Sequence, residues 1–317
     1  MGAEPGIFIN IASYRDRWLW PTVRDALAKA SHPGRLHFGI IDQSEPEHFP
    51  EPRDEPWWPR VRYLRVPPID ARGPCWARYL AQGYYAGEAF YLQIDSHMLF
   101  QQDWDARLLD AWRAVAERTH ERVILTTYPQ GFRVRDGQIV TDRPSNRPLV
   151  LRVKPDEALQ PEHPVLHFRA EWATGEAALP GFHVAGGCLF SAGRLVEEAP
   201  YDPRLYFHGE EQSLAIRAWT RGWDIWHPAG MPMFHLYKTA GAPEEPQHWN
   251  AELDRQRAQR WWVLDMAAKA RMKALLYERT LDGPFGLGQA RTLEDFARFC
   301  GIDYPRRRII RRPAARG

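Results

Sequence analysis

The sequence predicts an α/β fold whose main sheet is mostly parallel. Short β-rich runs alternate with segments of helical periodicity along the first 130 residues, which is typical of parallel strands joined by helices. A turn signal at Asp136-Gly137 then indicates that antiparallel structure follows. The length of 317 residues allows one large domain with a small appendage, because a single hydrophobic core stops growing near roughly 250–300 residues.

The alternation begins with a β-rich run followed by a loop and a helix, in which Pro21 suits the first turn. A second helix is expected from Cys75 to about Tyr85, and a third after Asp103, where an apolar stripe recurs at helical spacing. Asp103 is expected to cap this third helix with its carboxylate. The predicted strands of this part of the chain are Ile7–Ala12, Leu36–Asp42, Val61–Val66, Ala89–Ile94 and Arg122–Tyr128.

The later part of the chain reads as a hairpin, a long loop and a return to α/β structure. The Asp136-Gly137 turn places the hairpin within Phe132–Val140. Six prolines interrupt Thr141–Pro180, so this stretch is predicted to be a loop of the kind that carries function. The remaining predictions are a buried strand at Ala185–Phe190, a helix at Glu211–Arg221, a strand at Trp223–His227 and a helical segment from about Trp249 to Arg279.

Composition excludes several classes of protein. Hydrophobic residues make up 44% of the chain and charged residues 26%, as in an ordinary globular protein. The 42 basic and 40 acidic residues nearly cancel, so net charge gives no reason to expect a nucleic-acid partner. Three widely spaced cysteines fit a reducing compartment, and no run approaches the roughly 20 apolar residues of a membrane span. The sequence therefore predicts a soluble, cytoplasmic protein.

The triplet Asp95-Ser96-His97 is the sharpest chemical signal. It follows a buried strand at its carboxyl end, where open α/β sheets place their ligand sites. A carboxylate and an imidazole two residues apart suit Mn²⁺ or Mg²⁺ with positions left open for a substrate. The alternative is that Asp95 caps the turn and His97 is a hydrogen-bonded core histidine.

A family resemblance gives this triplet a context. The chain resembles the cytoplasmic hydroxyproline N-acetylglucosaminyltransferase family and its bacterial relatives, from residue 7 to about 304. Its 73–78 and 94–97 stretches, with Trp104, are also similar to the donor-binding half of the polypeptide N-acetylgalactosaminyltransferases. Each stretch is short, and their order and spacing carry the resemblance. The stretches are IASYRD at 11–16, GPCWAR at 73–78, IDSH at 94–97, YDP at 201–203, HGEE at 208–211 and RTLEDF at 291–296.

The resemblance implies a GT-A glycosyltransferase fold, in which a nucleotide-binding α/β domain is fused to an acceptor-side mixed sheet. Residues 1–248 are then expected to form the catalytic domain, with the donor-binding half at about 1–130 and the acceptor-side half at about 131–248. Residues 249–304 are expected to form a helical extension, and 305–317 a basic tail. Such a tail is usually solvated. Its alternative is an anchor for an acidic partner or for peripheral contact with a membrane surface.

The resemblance also assigns residues to the metal and the donor. It puts Asp95 and His97 in the metal motif and adds His235 as third ligand, although without the resemblance a lone histidine at a strand end is more readily a core residue. Arg72 and Arg78 flank a Gly-Pro turn that opens a helix, a place where guanidinium and backbone N–H groups meet a pyrophosphate; each is alternatively a surface charge. The other residues expected around the UDP-sugar are Ser13, Tyr14 and Arg15 at the uridine, Asp42 at the uracil N3–H, and Gly73 and Ser96.

Two further pairs are expected at the donor sugar. Gly186-Gly187 would let the backbone approach the sugar closely, where a Cβ would block it; otherwise the pair is a bulge. Glu210 matches the acidic residue that binds sugar hydroxyls in the resembling transferases. Glu211 stands where the N-acetylgalactosamine enzymes have asparagine. Either acid is alternatively the first-turn carboxylate of its helix.

These expectations together describe a metal-dependent, retaining transferase. It would move N-acetylglucosamine from a UDP-sugar to an acceptor hydroxyl on a protein, glycan or lipid, with Glu210, Glu211 and Arg78 as catalytic residues and Mn²⁺ or Mg²⁺ as cofactor. The alternative from another class is a non-catalytic module that binds a nucleotide-sugar or glycan. A two-metal hydrolase is disfavoured, because the sequence has no second carboxylate cluster.

Overall fold

A computed structural model of the protein describes residues 5–237 and 247–310. Within these residues the strands are, in chain order, β1 Ile7–Tyr14, β2 Leu36–Gln43, β3 Val61–Arg65, β4 Phe90–Asp95, β5 Met98–Phe100, β6 Val123–Thr126, β7 Gln130–Arg135, β8 Gln138–Thr141, β9 Leu149–Val153, β10 Phe168–Trp172, β11 Leu179–Gly181, β12 Cys188–Ala192, β13 Asp224–His227, β14 Met233–Leu236, β15 Ile302–Asp303 and β16 Arg308–Ile309. The α-helices are α1 Leu19–Lys29, α2 Pro74–Gln82, α3 Trp104–Ala116, α4 Leu195–Glu198, α5 Glu210–Thr220, α6 Ala251–Gln256, α7 Trp261–Lys273 and α8 Leu293–Cys300.

Eight strands form the main sheet, in the order β11-β13-β6-β12-β4-β1-β2-β3. β1 pairs in parallel with both β2 and β4. β12 is antiparallel to β4 and β6, and the edge strand β11 is antiparallel to β13. The other six strands run in one direction, so the predicted α/β class with a mostly parallel sheet is confirmed.

The main sheet is buried on both faces because β1 is apolar on both sides. Ile7, Ile9 and Ile11 lie in one core with residues of α1 and α3. Phe8, on the opposite face, lies in a second core with residues of α5, α7 and α8. Helices that cover both faces leave the carboxyl ends of the parallel strands as the open edge, which is where such sheets bind ligands.

A smaller mixed sheet adjoins the first, in the order β5-β14-β7-β8. β14 is antiparallel to β5 and parallel to β7. The hairpin of β7 and β8 turns at Asp136 and Gly137, which have φ angles of 49° and 75°. These left-handed angles are those of the predicted tight turn, and the predicted hairpin is confirmed.

The stretch Thr141–Pro180, predicted as a loop because of its prolines, contains strands. β9 and β10 form an antiparallel pair within it, with Leu151 opposite Ala170. Five of the six prolines lie outside the strands, so the segments between them were long enough to pair. Pro180 sits inside β11, where it is tolerated because that strand has a neighbour on one side alone.

Two helix predictions need correction. Asp103 does precede α3, but its side chain makes no capping bond to the helix backbone; its backbone is left-handed, and its carboxylate accepts a hydrogen bond from the Ser31 hydroxyl at 2.7 Å. The helical segment from Trp249 is not continuous. It is broken between α6 and α7 at Arg257, whose backbone is extended and whose side chain is buried in the fold.

The segment after residue 248 shares the second core and has none of its own among the described residues. Met272 of α7 and Phe296 of α8 pack in the same apolar cluster as Leu214 of α5. The division of the chain at residue 248 stays a prediction.

Among the described residues, no helix combines the length and the apolarity that crossing a membrane requires. Most of the predicted basic tail, 311–317, lies outside the described residues.

A buried ion pair joins α3 to the connection between α1 and β2. Arg35 donates to Asp105 with an Nη2–Oδ2 distance of 2.8 Å, and the two side chains are 4% and 0% exposed. The Asp105 carboxylate also accepts the backbone N–H groups of Ser31 and His32, at 2.7 and 3.0 Å. Burial alone would raise its pKa, but these three groups outweigh it and the pKa of Asp105 is lowered.

We expect Asp105→Asn to lower the free energy of unfolding by about 3 kcal/mol, because it breaks a buried ion pair by removing one of its two charges. Since the pKa of Asp105 is lowered in the folded state, this difference should be fully present above the pKa of an unfolded aspartate, about 4, and should shrink as the pH falls through the folded-state value. Urea unfolding at several pH values measures it.

The matched control is Glu294→Gln. Glu294 pairs with Arg279 at the same 2.8 Å, but both side chains are more than 40% exposed. This change should cost less than about 1 kcal/mol. Equal losses for the two variants would show that burial does not set the strength of the Arg35 pair.

Candidate active site

Three residues that can ligate a metal meet where the two sheets join. Asp95 ends β4 of the main sheet, and His97 lies just before β5 of the small sheet. The antiparallel pairing of β5 and β14 brings His235 beside them, opposite Met98. One ligand atom from each of the three residues lies within 4.8 Å of the others, and Asp95 Oδ2 is 3.2 Å from His235 Nε2.

This donor set fits a divalent cation. Two ligand atoms that each lie about 2.1 Å from one ion are roughly 3 Å apart, and the Asp95–His235 contact has this length. Asp16, in the loop after β1, orients the His97 ring: its Oδ2 lies 2.6 Å from His97 Nδ1 and accepts the Ser96 hydroxyl at 2.5 Å. Such a carboxylate behind an imidazole fixes the ring for coordination through its other nitrogen.

The second oxygen of Asp95 is held by Arg78. Arg78 Nη2 lies 2.7 Å from Asp95 Oδ1, and Nη1 lies 2.6 Å from Glu210 Oε1. Burial alone would raise the pKa of Asp95, but the contacts with His235 and Arg78 outweigh it and place this pKa well below its usual range. The Arg78 side chain is 4% exposed, so it is a buried bridge and not the surface charge that the sequence left open.

Glu210 is engaged at both oxygens. Arg78 holds Oε1, and the Cys75 thiol donates to Oε2 at 2.9 Å. Burial and, to a smaller degree, the neighbouring Glu211 raise the pKa of Glu210, although Arg78 opposes the shift. Cys75 precedes Arg78 by one helical turn of α2, so both face the same carboxylate.

Gly186 and Gly187 lie before β12, where the backbone comes close to these carboxylates. A Cβ on Gly187 would lie 2.2 Å from Asp95 Oδ2, and one on Gly186 would lie 2.5 Å from Glu210 Oε1. Glycine is therefore required at both positions by close approach and not by a bulge. The Gly186 N–H also donates to Glu211 Oε1 at 2.6 Å.

The residues expected at the nucleoside lie at the carboxyl ends of β1 and β2. Ser13 is buried and faces Asp42 in the register of the two strands. Asp42 accepts the hydroxyl groups of Ser44 and Tyr63, at 2.6 and 2.8 Å. Burial raises the pKa of Asp42, since these hydrogen bonds only partly offset the loss of solvent.

Tyr14 has a partner that sequence reasoning missed. The hydroxyl group of Tyr14 accepts a hydrogen bond from the buried Arg257, whose guanidinium also lies over the Tyr14 ring. The Tyr14 ring is 5.3 Å from the ring of His248, which lies 2.7 Å from the Tyr206 hydroxyl. Arg257 and His248 belong to the segment that begins at residue 247, so this segment covers the carboxyl end of β1.

The site residues predicted from the sequence fall into three groups. Asp95, His97, His235, Arg78, Glu210, Glu211, Gly186 and Gly187 form one connected cluster, with Ser96 tied to it through Asp16. Ser13, Tyr14 and Asp42 lie on the neighbouring strand ends, and Arg15 pairs there with Glu45. Gly73, with φ of 92°, packs against Tyr206, while Arg72 is exposed and lies over Trp76. The role of each residue stays a prediction.

The chain is similar to known proteins in sequence and in fold. The sequence profile of a family described as glycosyltransferase (GlcNAc) matches residues 6–55 and 44–306. A crystal structure of GalNAc-T7 with UDP, GalNAc and Mn²⁺ is similar with a TM-score of 0.58 and 17% identity, covering 95% of this chain and 58% of that one. S. aureus TarS 1-349 is similar with a TM-score of 0.43 and 12% identity, covering 73% and 60%. No curated protein matches the chain.

The likeness to GalNAc-T7 confirms the GT-A fold that the resemblance implied. At this level of identity it concerns the fold alone. The chain spans about three-fifths of the length of both matched structures.

We expect the protein to bind Mn²⁺ in the presence of UDP, and Asp16→Asn to weaken this binding at least about tenfold, because the His97 ring loses its orienting carboxylate. Asp95→Asn and His235→Gln, which alter the ligands themselves, should weaken it further. Electron paramagnetic resonance of free Mn²⁺ measures the affinity. His120→Gln serves as the control, because His120 lies at the opposite end of β6 from the cluster. Unchanged affinity in the three site variants would place the ion elsewhere.

Proposed function

Because the chain belongs to the GlcNAc glycosyltransferase family, we propose that it transfers N-acetylglucosamine from a UDP-sugar to an acceptor hydroxyl, with bound Mn²⁺ or Mg²⁺. The observation that carries this proposal is the Arg78 bridge. It joins Asp95, in the cluster that can hold a cation, to Glu210, the acid matched to sugar binding. A site for a charged leaving group and a site for a sugar are thus held at a fixed separation by one side chain.

Asp95, His97 and His235 would hold the cation, which supplies positive charge to the departing UDP. Asp16 keeps the His97 ring in place, and Arg78 keeps Asp95 ionised through a short charge-assisted contact. Ser13, Tyr14 and Asp42 would bind the nucleoside at the ends of β1 and β2. The donor would then lie along the carboxyl edge of the main sheet, with its sugar toward Glu210.

Both oxygens of Glu210 are fixed by a partner, which favours a positioning role over that of a base. A general base must take the acceptor proton, and the Arg78 charge beside Oε1 opposes protonation of that oxygen. In Glu210 one oxygen is bound by Arg78 and the other by the Cys75 thiol, so the carboxylate is better suited to a fixed hydrogen-bonding role toward sugar hydroxyls. A phosphate oxygen of the leaving UDP can instead take the proton on the face that it leaves, and the configuration of the sugar is retained.

The acceptor hydroxyl can belong to a protein, a glycan or a lipid. We expect the protein to act in the cytoplasm. A non-catalytic module with the same fold is the alternative. The set Asp95, His97, His235 and Arg78 is complete and close together, which favours a working enzyme over such a module.

A donor screen tests the function. We expect UDP release to be fastest with UDP-N-acetylglucosamine among the N-acetylglucosamine, N-acetylgalactosamine, glucose and galactose donors. EDTA should abolish it, and Mn²⁺ should restore it. Asp95→Asn should reduce release to the background level, while His120→Gln should leave it unchanged. If the wild-type protein bound the donors but released UDP from none of them, the non-catalytic alternative would replace this proposal.

The stereochemical course gives a second test. We expect an α-linked product from the α-linked donor, as read from the anomeric coupling constant in an NMR spectrum. Glu210→Gln should slow the reaction by the equivalent of roughly 1–3 kcal/mol without abolishing it, because a charged hydrogen bond is disturbed and no base is lost. A β-linked product, or complete loss of activity in Glu210→Gln, would contradict the retaining course.

A further inference from the structure

Glu211 differs from Glu210 in the groups that contact its two carboxylate oxygens. Its Oε1 accepts the Gly186 N–H at 2.6 Å, and its Oε2 lies 3.4 Å from the Tyr128 hydroxyl and 3.4 Å from His183 Nε2. The Glu211 side chain is 28% exposed, whereas the His183 side chain is 2% exposed. One oxygen of this carboxylate is therefore bonded to the backbone beside the Arg78–Glu210 pair, and the other faces a buried imidazole.

His183 is held in place without using the nitrogen that faces Glu211. Its ring is stacked on Phe168 of β10, with a centroid distance of 3.4 Å and an interplanar angle of 7°. Nε2 is buried and forms no hydrogen bond with the rest of the described chain. A buried polar nitrogen without a partner costs free energy, so a contact with the Glu211 carboxylate 3.4 Å away is the favourable use of this N–H group.

We propose that His183 is a positioning residue that acts through Glu211 on the Gly186 backbone. The proposal rests on the transferase function proposed above. Oε1 holds the Gly186 N–H, and Oε2 lies 3.4 Å from the buried Nε2 of His183, so a rotation of the carboxylate would lengthen one of these contacts. The Tyr128 hydroxyl donates to the same oxygen at 3.4 Å.

The position of Gly186 matters because the backbone there is close to the charged bridge. A Cβ on Gly186 would lie 2.5 Å from Glu210 Oε1 and 2.8 Å from Arg78 Nη1. A shift of this backbone by a few tenths of an ångström therefore changes the space around the Arg78–Glu210 contact. His183 lies beside Glu211 and, through it, beside the Arg78–Glu210 pair, so loss of its N–H should disturb the reacting sugar more than donor binding.

The test is a comparison of two substitutions of His183. His183→Phe keeps a ring that can stack on Phe168 but has no donor, and His183→Gln keeps a donor but no ring. We expect His183→Phe to lower kcat about tenfold with less than about a threefold change in KM for the donor, since misplacement of a reacting group costs rate more than binding. His183→Gln should retain kcat within about threefold. His120→Phe, at the far end of β6, is the control and should match the wild type.

A double-mutant cycle with Glu211→Ala separates positioning from general packing. If His183 acts through Glu211, His183→Phe should have no further effect on kcat in the Glu211→Ala background. Additive losses, or equal losses in His183→Phe and His183→Gln with a lowered melting temperature, would assign His183 to packing alone. Should His183→Phe fail to fold, His183→Met, which also lacks a donor, takes its place in the cycle.

A spectroscopic readout does not depend on turnover. In protein labelled with [¹⁵N]glycine, the Gly186 amide proton should resonate downfield because it donates to a carboxylate, and it should shift upfield in both Glu211→Ala and His183→Phe. An unchanged Gly186 resonance in His183→Phe would overturn the inference. Absence of transfer by the wild-type protein would overturn the proposed function, and the Gly186 shift would still decide the role of His183.

Discussion

The site depends on one interaction, the pairing of the buried Arg78 guanidinium with two carboxylates. A buried charge is costly unless it is paired, and Asp95 and Glu210 supply that pairing from opposite sides at 2.7 and 2.6 Å. Loss of either carboxylate would leave Arg78 with a single counter-charge, and loss of Arg78 would leave Asp95 and Glu210 without the cation that they share. The positions of α2, β4 and α5, which carry these three residues, are therefore linked by electrostatics as well as by apolar packing.

This constraint explains why the two sheets meet where they do. Asp95 closes β4 and His97 opens the small sheet two residues later, so the chain crosses from one sheet to the other at the cluster. His235 reaches the same point because β14 pairs with β5. The Asp95 carboxylate thus has one oxygen toward Arg78 and the other toward His235, and it connects the Arg78–Glu210 pair to the cluster that can hold an ion.

Local sequence patterns predicted the part of the site that lies on consecutive residues, and they missed the part that forms across the fold. Asp95 and His97 follow a buried strand, and this position together with the family resemblance marked them. Nothing local marks Cys75 as a partner of Glu210, or His183 as a neighbour of Glu211, because each pair joins segments far apart in the chain. Arg257 was assigned to a helical extension on periodicity, yet an extended backbone at that residue brings its side chain to Tyr14.

The adjacent acids Glu210 and Glu211 also show how burial gives different properties to similar residues. Glu210 is 11% exposed, and its two oxygens are bound by Arg78 and by the Cys75 thiol. Glu211 is 28% exposed, and its second oxygen has only long contacts at 3.4 Å. The retaining course that we propose asks for neither acid as a base, and the bond of Glu211 to the Gly186 N–H supports the positioning role that we propose for it.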